Sequence, residues 1–411
     1  MNLEKAGISG ERLERIRPAI EKHIGDKKIA GAVTLVYRRG ERIHLESYGQ
    51  MDRGRRKPMQ ADTIFRIYSM TKPIISTALM MLFEQGHFQL FDAVSKFIPA
   101  FKNLKVFKRK GASGIEMVDL EREVTIHDLF THTSGLTYHF LENGPVEEMY
   151  REAKICAGQP LEEFIFDLLK MPLAFQPGEC WRYSFSVDVL AHLIEIMSGE
   201  PLDSFLESNL FTPLGMMDTG YYVPKDKLSR FTAEYGSLNV LNPDMTVSKC
   251  LEDAEKGINT LISDPFDCPE SRPHNVLRGG HGLVSTAADY LQFCRMLLNR
   301  GELDGTRFLS PKTVELMLVN HLEPRLMPLE IGGNYLPGYG WGLGFRVLMD
   351  VGQCLTAGTI GEFGWAGAAN TYFWIDPKEE FIGILMAQFQ PSGYYLIAND
   401  FRVLAYQSIV E

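Results

Sequence analysis

Strand-like segments sit at the two opposite ends of this 411-residue chain, and that placement is the strongest constraint on what it can fold into. Ala32-Val33-Thr34-Leu35-Val36-Tyr37 and Arg42-Ile43-His44-Leu45-Glu46 have strand composition, and Arg39-Gly40 between them reads as a hairpin turn. Near the other end, 343–349, 370–375 and 381–388 carry the same signature, with the turn Asp376-Pro377-Lys378-Glu379 separating the last two. Leu13, Ile16, Ile20 and Ile24 predict a helix over 10–27, and a second helix at about 394–409 closes the chain. The interior holds helical patterns at 74–86, 126–131, 160–170, 187–198, 202–210, 286–299 and 310–318, while 101–124 and 224–278 read as polar and irregular. Such an order is not a βαβ repeat. It predicts an α+β chain with one antiparallel sheet built from both ends and a mostly helical region inserted. The expected division is 1–75 plus 325–411 as a discontinuous sheet domain and 76–324 as a helical domain, with the active site between them.

Composition narrows the partners. A formal net charge of −10 argues against nucleic acid or an anionic membrane, which favour a basic surface. Lys108-Arg109-Lys110 is too short to reverse this and reads as a solvated loop. The start, Met1-Asn2-Leu3-Glu4-Lys5, lacks a secretory pattern, and the apolar runs 74–83 and 381–389 fall short of the ~20 residues that span a bilayer. Cys156, Cys180, Cys250, Cys268, Cys294 and Cys354 are scattered without a Cys-x-x-Cys, and no His-x-x-x-His occurs. A reduced, cytoplasmic protein without metal or cofactor is the expectation, its oligomeric state open.

The chemistry centres on Ser69-Met70-Thr71-Lys72, ahead of the apolar helical run 74–83. Residues three apart at a helix start share a face, so the amine can reach the hydroxyl. A partly desolvated lysine can then serve as the base that a hydroxyl nucleophile needs. With 21 serines and 19 lysines, chance supplies roughly one such pair, so context decides. Three further segments provide it. Gln176-Pro177-Gly178 leads through Trp181 to Tyr183-Ser184-Phe185 before a helix. Gly279-Gly280-His281-Gly282 precedes Ser285 and Thr286, either of which can cap the next helix. Gly361-Glu362-Phe363-Gly364-Trp365-Ala366-Gly367-Ala368 leads into a strand.

Together these segments resemble the serine β-lactamase and penicillin-binding-protein superfamily, in particular class C β-lactamases and the family VIII carboxylesterases. Phe65-Arg66-Ile67-Tyr68-Ser69-Met70-Thr71-Lys72 is similar to the nucleophile segment, and Thr125-Ile126-His127-Asp128-Leu129-Phe130-Thr131-His132-Thr133-Ser134-Gly135-Leu136 to a recurring structural one. Tyr183-Ser184-Phe185 falls where that family has Tyr-x-Asn. Leu214-Gly215-Met216 with Asp218-Thr219, and Gly282-Leu283-Val284-Ser285-Thr286, are further matching stretches. The resemblance implies a β-lactamase/transpeptidase-like fold and assigns roles. Ser69 would be acylated, and Lys72 and Tyr183 would share proton transfer, Tyr183 as base toward Ser69 or the leaving group. The backbone N–H groups of Ser69 and Ala368 would form the oxyanion hole, with on the order of 3 kcal/mol from each donor. His132 and Ser134 are expected to hold a loop rather than to catalyse.

Two departures from the family pattern direct the substrate expectation. Trp365-Ala366-Gly367 stands where Lys-Thr-Gly is usual, so the cation that would meet a lactam or peptide carboxylate is replaced by an apolar face. Phe185 replaces the asparagine amide. Trp365, Ala366, Gly367, Phe185 and His281 are the expected substrate contacts, and the implied activity is hydrolysis of small-molecule carboxylic esters of short or medium acyl chain through an acyl-serine. The alternatives are β-lactam or D-amino-acid amide hydrolysis, acyl transfer to an alcohol or amine, and a non-catalytic binder that keeps the fold.

Overall fold

The computed structural model describes residues 2–411 except 112–113, 142–143, 156–157, 243–245 and 258–259; Cys156 lies outside the described residues. The main sheet is antiparallel. Its strands are β1 (Gly31–Arg38), β2 (Glu41–Asp52), β3 (Lys57–Pro58), β4 (Tyr339–Trp341), β5 (Arg346–Leu348), β6 (Phe363–Gly367), β7 (Thr371–Asp376) and β8 (Phe381–Ala387), in the spatial order β4-β5-β6-β7-β8-β1-β2-β3. The two chain ends meet where β1 pairs with β8, with Val33 opposite Met386 and Leu35 opposite Ile384. That is the sheet expected from the order of elements.

Every residue of β1, β7 and β8 is buried, because helices cover both faces. Alternation assigns the side chains. Val33, Leu35, Phe373, Ile375, Ile384 and Met386 join the large inner core with the helices Thr71–Glu84 (α2), Ser186–Ser198 (α3) and Ala287–Leu298 (α4). Ala32, Val36, Tyr372, Trp374 and Leu385 face the outer core with Ile16–Gly25 (α1) and Ile397–Tyr406 (α5). Buried Arg402 of α5 pairs with Glu362, and the Tyr406 hydroxyl donates to Glu362 at 2.7 Å and Asp376 at 2.9 Å, which fixes α5 to the sheet.

Three expectations need correction. The helix over 10–27 is broken into Gly10–Leu13 and α1, because Pro18 has no N–H for the preceding turn and fits only near a helix start. The stretch 101–124 is not irregular: Lys105–Gly111 and Gly114–Asp119 pair as an exposed hairpin. Its base packs Val106, Phe107 and Val118 on the core while its solvent-exposed part carries the cross-strand ion pairs Lys108–Glu116 at 2.8 Å and Arg109–Glu116 at 2.5 Å, so no sustained alternation signals it. Within 224–278, Glu234–Gly236, Val247–Gly257 and Thr260–Ser263 are regular. No helix among the described residues is long and apolar enough to cross a membrane.

Gly383 lies under Trp374. A Cβ there would sit 2.1 Å from Cη2 of an indole that is fully buried. Gly383→Ala is therefore expected to lower the unfolding free energy by about 1–3 kcal/mol, as overpacking does, measured by denaturant unfolding. Its effect on turnover should be small, because the clash is on the outer face.

Candidate active site

Ser69 sits in the short 3₁₀ turn Tyr68–Met70 that runs directly into α2, so Lys72 falls on the first turn of that helix. The expected contact forms: Lys72 Nζ donates to Ser69 Oγ at 3.1 Å and to the Gly280 carbonyl at 2.7 Å. Lys72 is 1% exposed, and its ammonium lies 4.5 Å from the Tyr183 ring centroid and 5.3 Å from that of Tyr138. Burial among rings and carbonyls pushes the amine pKa down to about 7, while the nearby Asp188 carboxylate opposes the shift. A large neutral fraction of Lys72 therefore exists near pH 7.

Asp188 is the residue that sequence reasoning missed. It lies in the first turn of α3, five residues beyond Tyr183, where an acidic side chain reads as ordinary helix-end compensation. It is fully buried, and its Oδ1 accepts the N–H groups of Gly279 and Gly280 at 3.1 Å each. Burial raises its carboxyl pKa, while Lys72 and Arg278 pull it down. Gly280 must be glycine: a Cβ there would lie 2.6 Å from the Tyr138 hydroxyl and 2.7 Å from Asp188 Oδ2. This close approach delivers the Gly280 carbonyl to Lys72. Of the two candidate caps in this loop, Thr286 caps α4, its hydroxyl accepting Asp289 N–H at 3.1 Å.

The Tyr183 ring lies against the Lys72 amine, and its hydroxyl accepts the Trp365 indole N–H at 3.2 Å. Burial pushes the phenol pKa above its ordinary value, with the hydrogen bonds to Ser69 and Trp365 opposing the shift. The phenol is thus protonated at neutral pH, which leaves the neutral amine as the available base. Trp365 is only 6% exposed and packs edge-on against Trp341 at 4.6 Å. The expectation of an open apolar face there is corrected: this indole supports Tyr183.

Other expected contacts are corrected by the pleat and the packing. Trp365 belongs to the inner core, so its neighbour Ala366 points its methyl to the outer core. At Gly367 a Cβ would sit 2.4 Å from the Ile67 carbonyl and 2.2 Å from Thr371 Oγ1. The glycine lets β6 close onto the nucleophile segment. Phe185 is 1% exposed, its ring 4.3 Å from Tyr138 and 5.1 Å from Phe164, so it is a core residue. His281 is solvent-exposed, beside the Gly280 carbonyl that binds Lys72.

His132 and Ser134 lie behind Tyr183. His132 Nδ1 pairs with Ser184 Oγ at 3.0 Å, its ring is 5.1 Å from Tyr183, and Ser134 Oγ pairs with Ser186 Oγ at 2.8 Å. Burial holds the imidazole well below its ordinary pKa, so it is a neutral support. Asp128 closes a capping box with Thr125 and pairs with Arg122 at 2.6 Å.

The chain is similar in sequence and fold to known proteins. A family model described as Beta-lactamase matches residues 16–407. Esterase EstB of Burkholderia gladioli is 34% identical over 88% of this chain and 86% of its own. Protein Rv1367c of Mycobacterium tuberculosis is 32% identical, again over 88% and 86%. The solved structure of EstCE1, described as a hydrolase with promiscuous acyltransferase activity, is 26% identical and superimposes with a TM-score of 0.77 over 98% of this chain and 99% of its own.

The lowered Lys72 pKa sets a pH dependence. If the neutral amine activates Ser69, the rate of Ser69 modification by a fluorophosphonate rises about tenfold per pH unit below 7 and levels off above it. Lys72→Arg, which keeps a cation that cannot give up its proton, is expected to abolish that modification.

Proposed function

Because this chain belongs to the Beta-lactamase family, we propose that it is a serine hydrolase of carboxylic esters with short or medium acyl chains, working through an acyl-serine. The observation that carries this reading is the contact of a neutral indole, Trp365, with Tyr183 beside the Ser69–Lys72 pair. The position next to the tyrosine offers an N–H but no positive charge, so a substrate carboxylate finds no counter-ion there, whereas an uncharged ester needs none. The name of the relative EstB supports the same substrate class.

In this reading the groups act in turn. The Lys72 amine takes the Ser69 Oγ proton as Oγ attacks the ester carbonyl carbon. The N–H groups of Ser69 and Ala368 receive the oxyanion as the C=O bond becomes single. Collapse expels the alkoxide, which gains a proton from Tyr183, and Lys72 restores the phenol. Water then attacks the acyl-serine by the same route in reverse. The carboxylic acid leaves and Ser69 regains its proton. Transfer of the acyl group to an alcohol in place of water is the second reading, favoured by the activity named for EstCE1. It uses the same acyl-serine.

Turnover of p-nitrophenyl butyrate tests the proposal. Ser69→Ala and Lys72→Ala are expected to lose at least about 1,000-fold in kcat, and Tyr183→Phe about 100-fold or more, with unfolding midpoints near that of the parent. Undiminished turnover in Ser69→Ala contradicts the mechanism. Cephalosporin hydrolysis at rates rivalling ester hydrolysis contradicts the substrate class, and added alcohols that divert the acyl group into new esters favour the second reading.

A further inference from the structure

Tyr68, immediately before Ser69, has φ of 46°, a left-handed backbone that bulky side chains rarely adopt. The chemistry above leaves its hydroxyl without a role. That hydroxyl lies 2.8 Å from both carboxylate oxygens of Glu234, which is 2% exposed. Glu234 Oε1 also accepts from Gln390 Nε2 at 2.7 Å. Gln390 belongs to the short strand Phe389–Gln390, which lies parallel to Glu234–Gly236.

The segment 388–392 is bonded to both backbone stretches that carry the oxyanion donors. On one side, Phe389 N–H donates to the Ala369 carbonyl at 3.1 Å and Ser392 N–H to the Ala368 carbonyl at 2.9 Å. On the other, the Gln388 amide bonds the Arg66 backbone twice, donating to its carbonyl at 2.9 Å and accepting its N–H at 3.2 Å. The Tyr68–Glu234–Gln390 chain adds a third tie to the nucleophile side, at the residue that matters most. The Ser69 N–H belongs to the peptide joining Tyr68 and Ser69, so the backbone angles of Tyr68 aim it.

We propose that Tyr68 is a positioning residue: its hydroxyl, held by Glu234 and through it by Gln390, keeps the strained backbone that points Ser69 N–H at the oxyanion and fixes its separation from Ala368 N–H. A hydrogen bond to a buried carboxylate is among the strong ones, suited to holding an unfavourable backbone. Donors fixed in advance act on developing charge without reorganising during the reaction. The inference rests on the acyl-serine reading of Ser69.

The test pairs ester kinetics with binding of an alkyl boronic acid, which forms a tetrahedral adduct on a reactive serine. Tyr68→Phe and Glu234→Ala are each expected to lower kcat for p-nitrophenyl butyrate about tenfold or more, with KM within about threefold, and to weaken boronate binding by a similar factor. Glu234→Gln keeps an acceptor for the phenol and is expected to recover most of the loss. The double variant should be no worse than the poorer single one, because the groups act as one bridge. A kcat within about twofold of the parent in Tyr68→Phe, a loss confined to KM, or multiplying losses in the double variant would overturn the inference. If Tyr68→Phe does not fold, Gln390→Met at the far end of the bridge gives the same comparison, with the same outcomes for and against. Parent protein that turns over no ester removes the acyl-serine reading, and the bridge falls with it.

Discussion

The burial of one amine organises this site. Lys72 Nζ is enclosed by α2, the Gly279–Gly280 loop and the rings of Tyr183 and Tyr138, with Ser69 Oγ and the Gly280 carbonyl as its acceptors. Desolvation lowers its pKa to about 7 even though Asp188 opposes the shift. A solvated lysine titrates near ~10.4 and would be almost wholly charged at neutrality. Much of the surrounding structure maintains that enclosure. Gly280 admits its carbonyl because it has no Cβ, and Asp188 holds the loop by its two N–H groups.

The fold brings the remaining parts to this amine from distant sequence. The β1–β8 pairing joins the chain ends and places β6 in the same sheet as the N-terminal strands. Gly367 then lets β6 press onto the Ile67 carbonyl, two residues before the serine. Trp365 on the inner face reaches Tyr183, and the segment beyond β8 bonds both the Ala368–Ala369 backbone and Arg66. Sheet register and a few close-contact glycines thus bring these parts to the buried amine.

The sequence showed some of this and hid the rest for physical reasons. The strand groups at the two ends were legible because their residues favour a pleated, buried surface, and Ser69 with Lys72 because helical spacing fixes their contact. The hairpin 105–119 was hidden because its exposed part is charged and its apolar residues are confined to the base, which leaves no sustained alternation. Phe185 and Ala366 were misread as side-chain contacts to substrate because adjacency in a motif does not say which face a side chain takes. The pleat sends the Ala366 methyl to the outer core, and packing seals Phe185 among rings. Asp188 and Tyr68 were hidden differently: each has an ordinary local reading, and only their distant partners, Gly279–Gly280 and Glu234, show another.

Mass spectrometry reads the acyl-serine itself. Rapid quenching after mixing with p-nitrophenyl butyrate, followed by intact-mass analysis and peptide mapping, should show one butyryl group on the peptide carrying Ser69. The adduct should be absent in Ser69→Ala and should decay at the rate of turnover. Ester turnover with no adduct, or with the acyl group on another residue, would rule out Ser69 as the nucleophile.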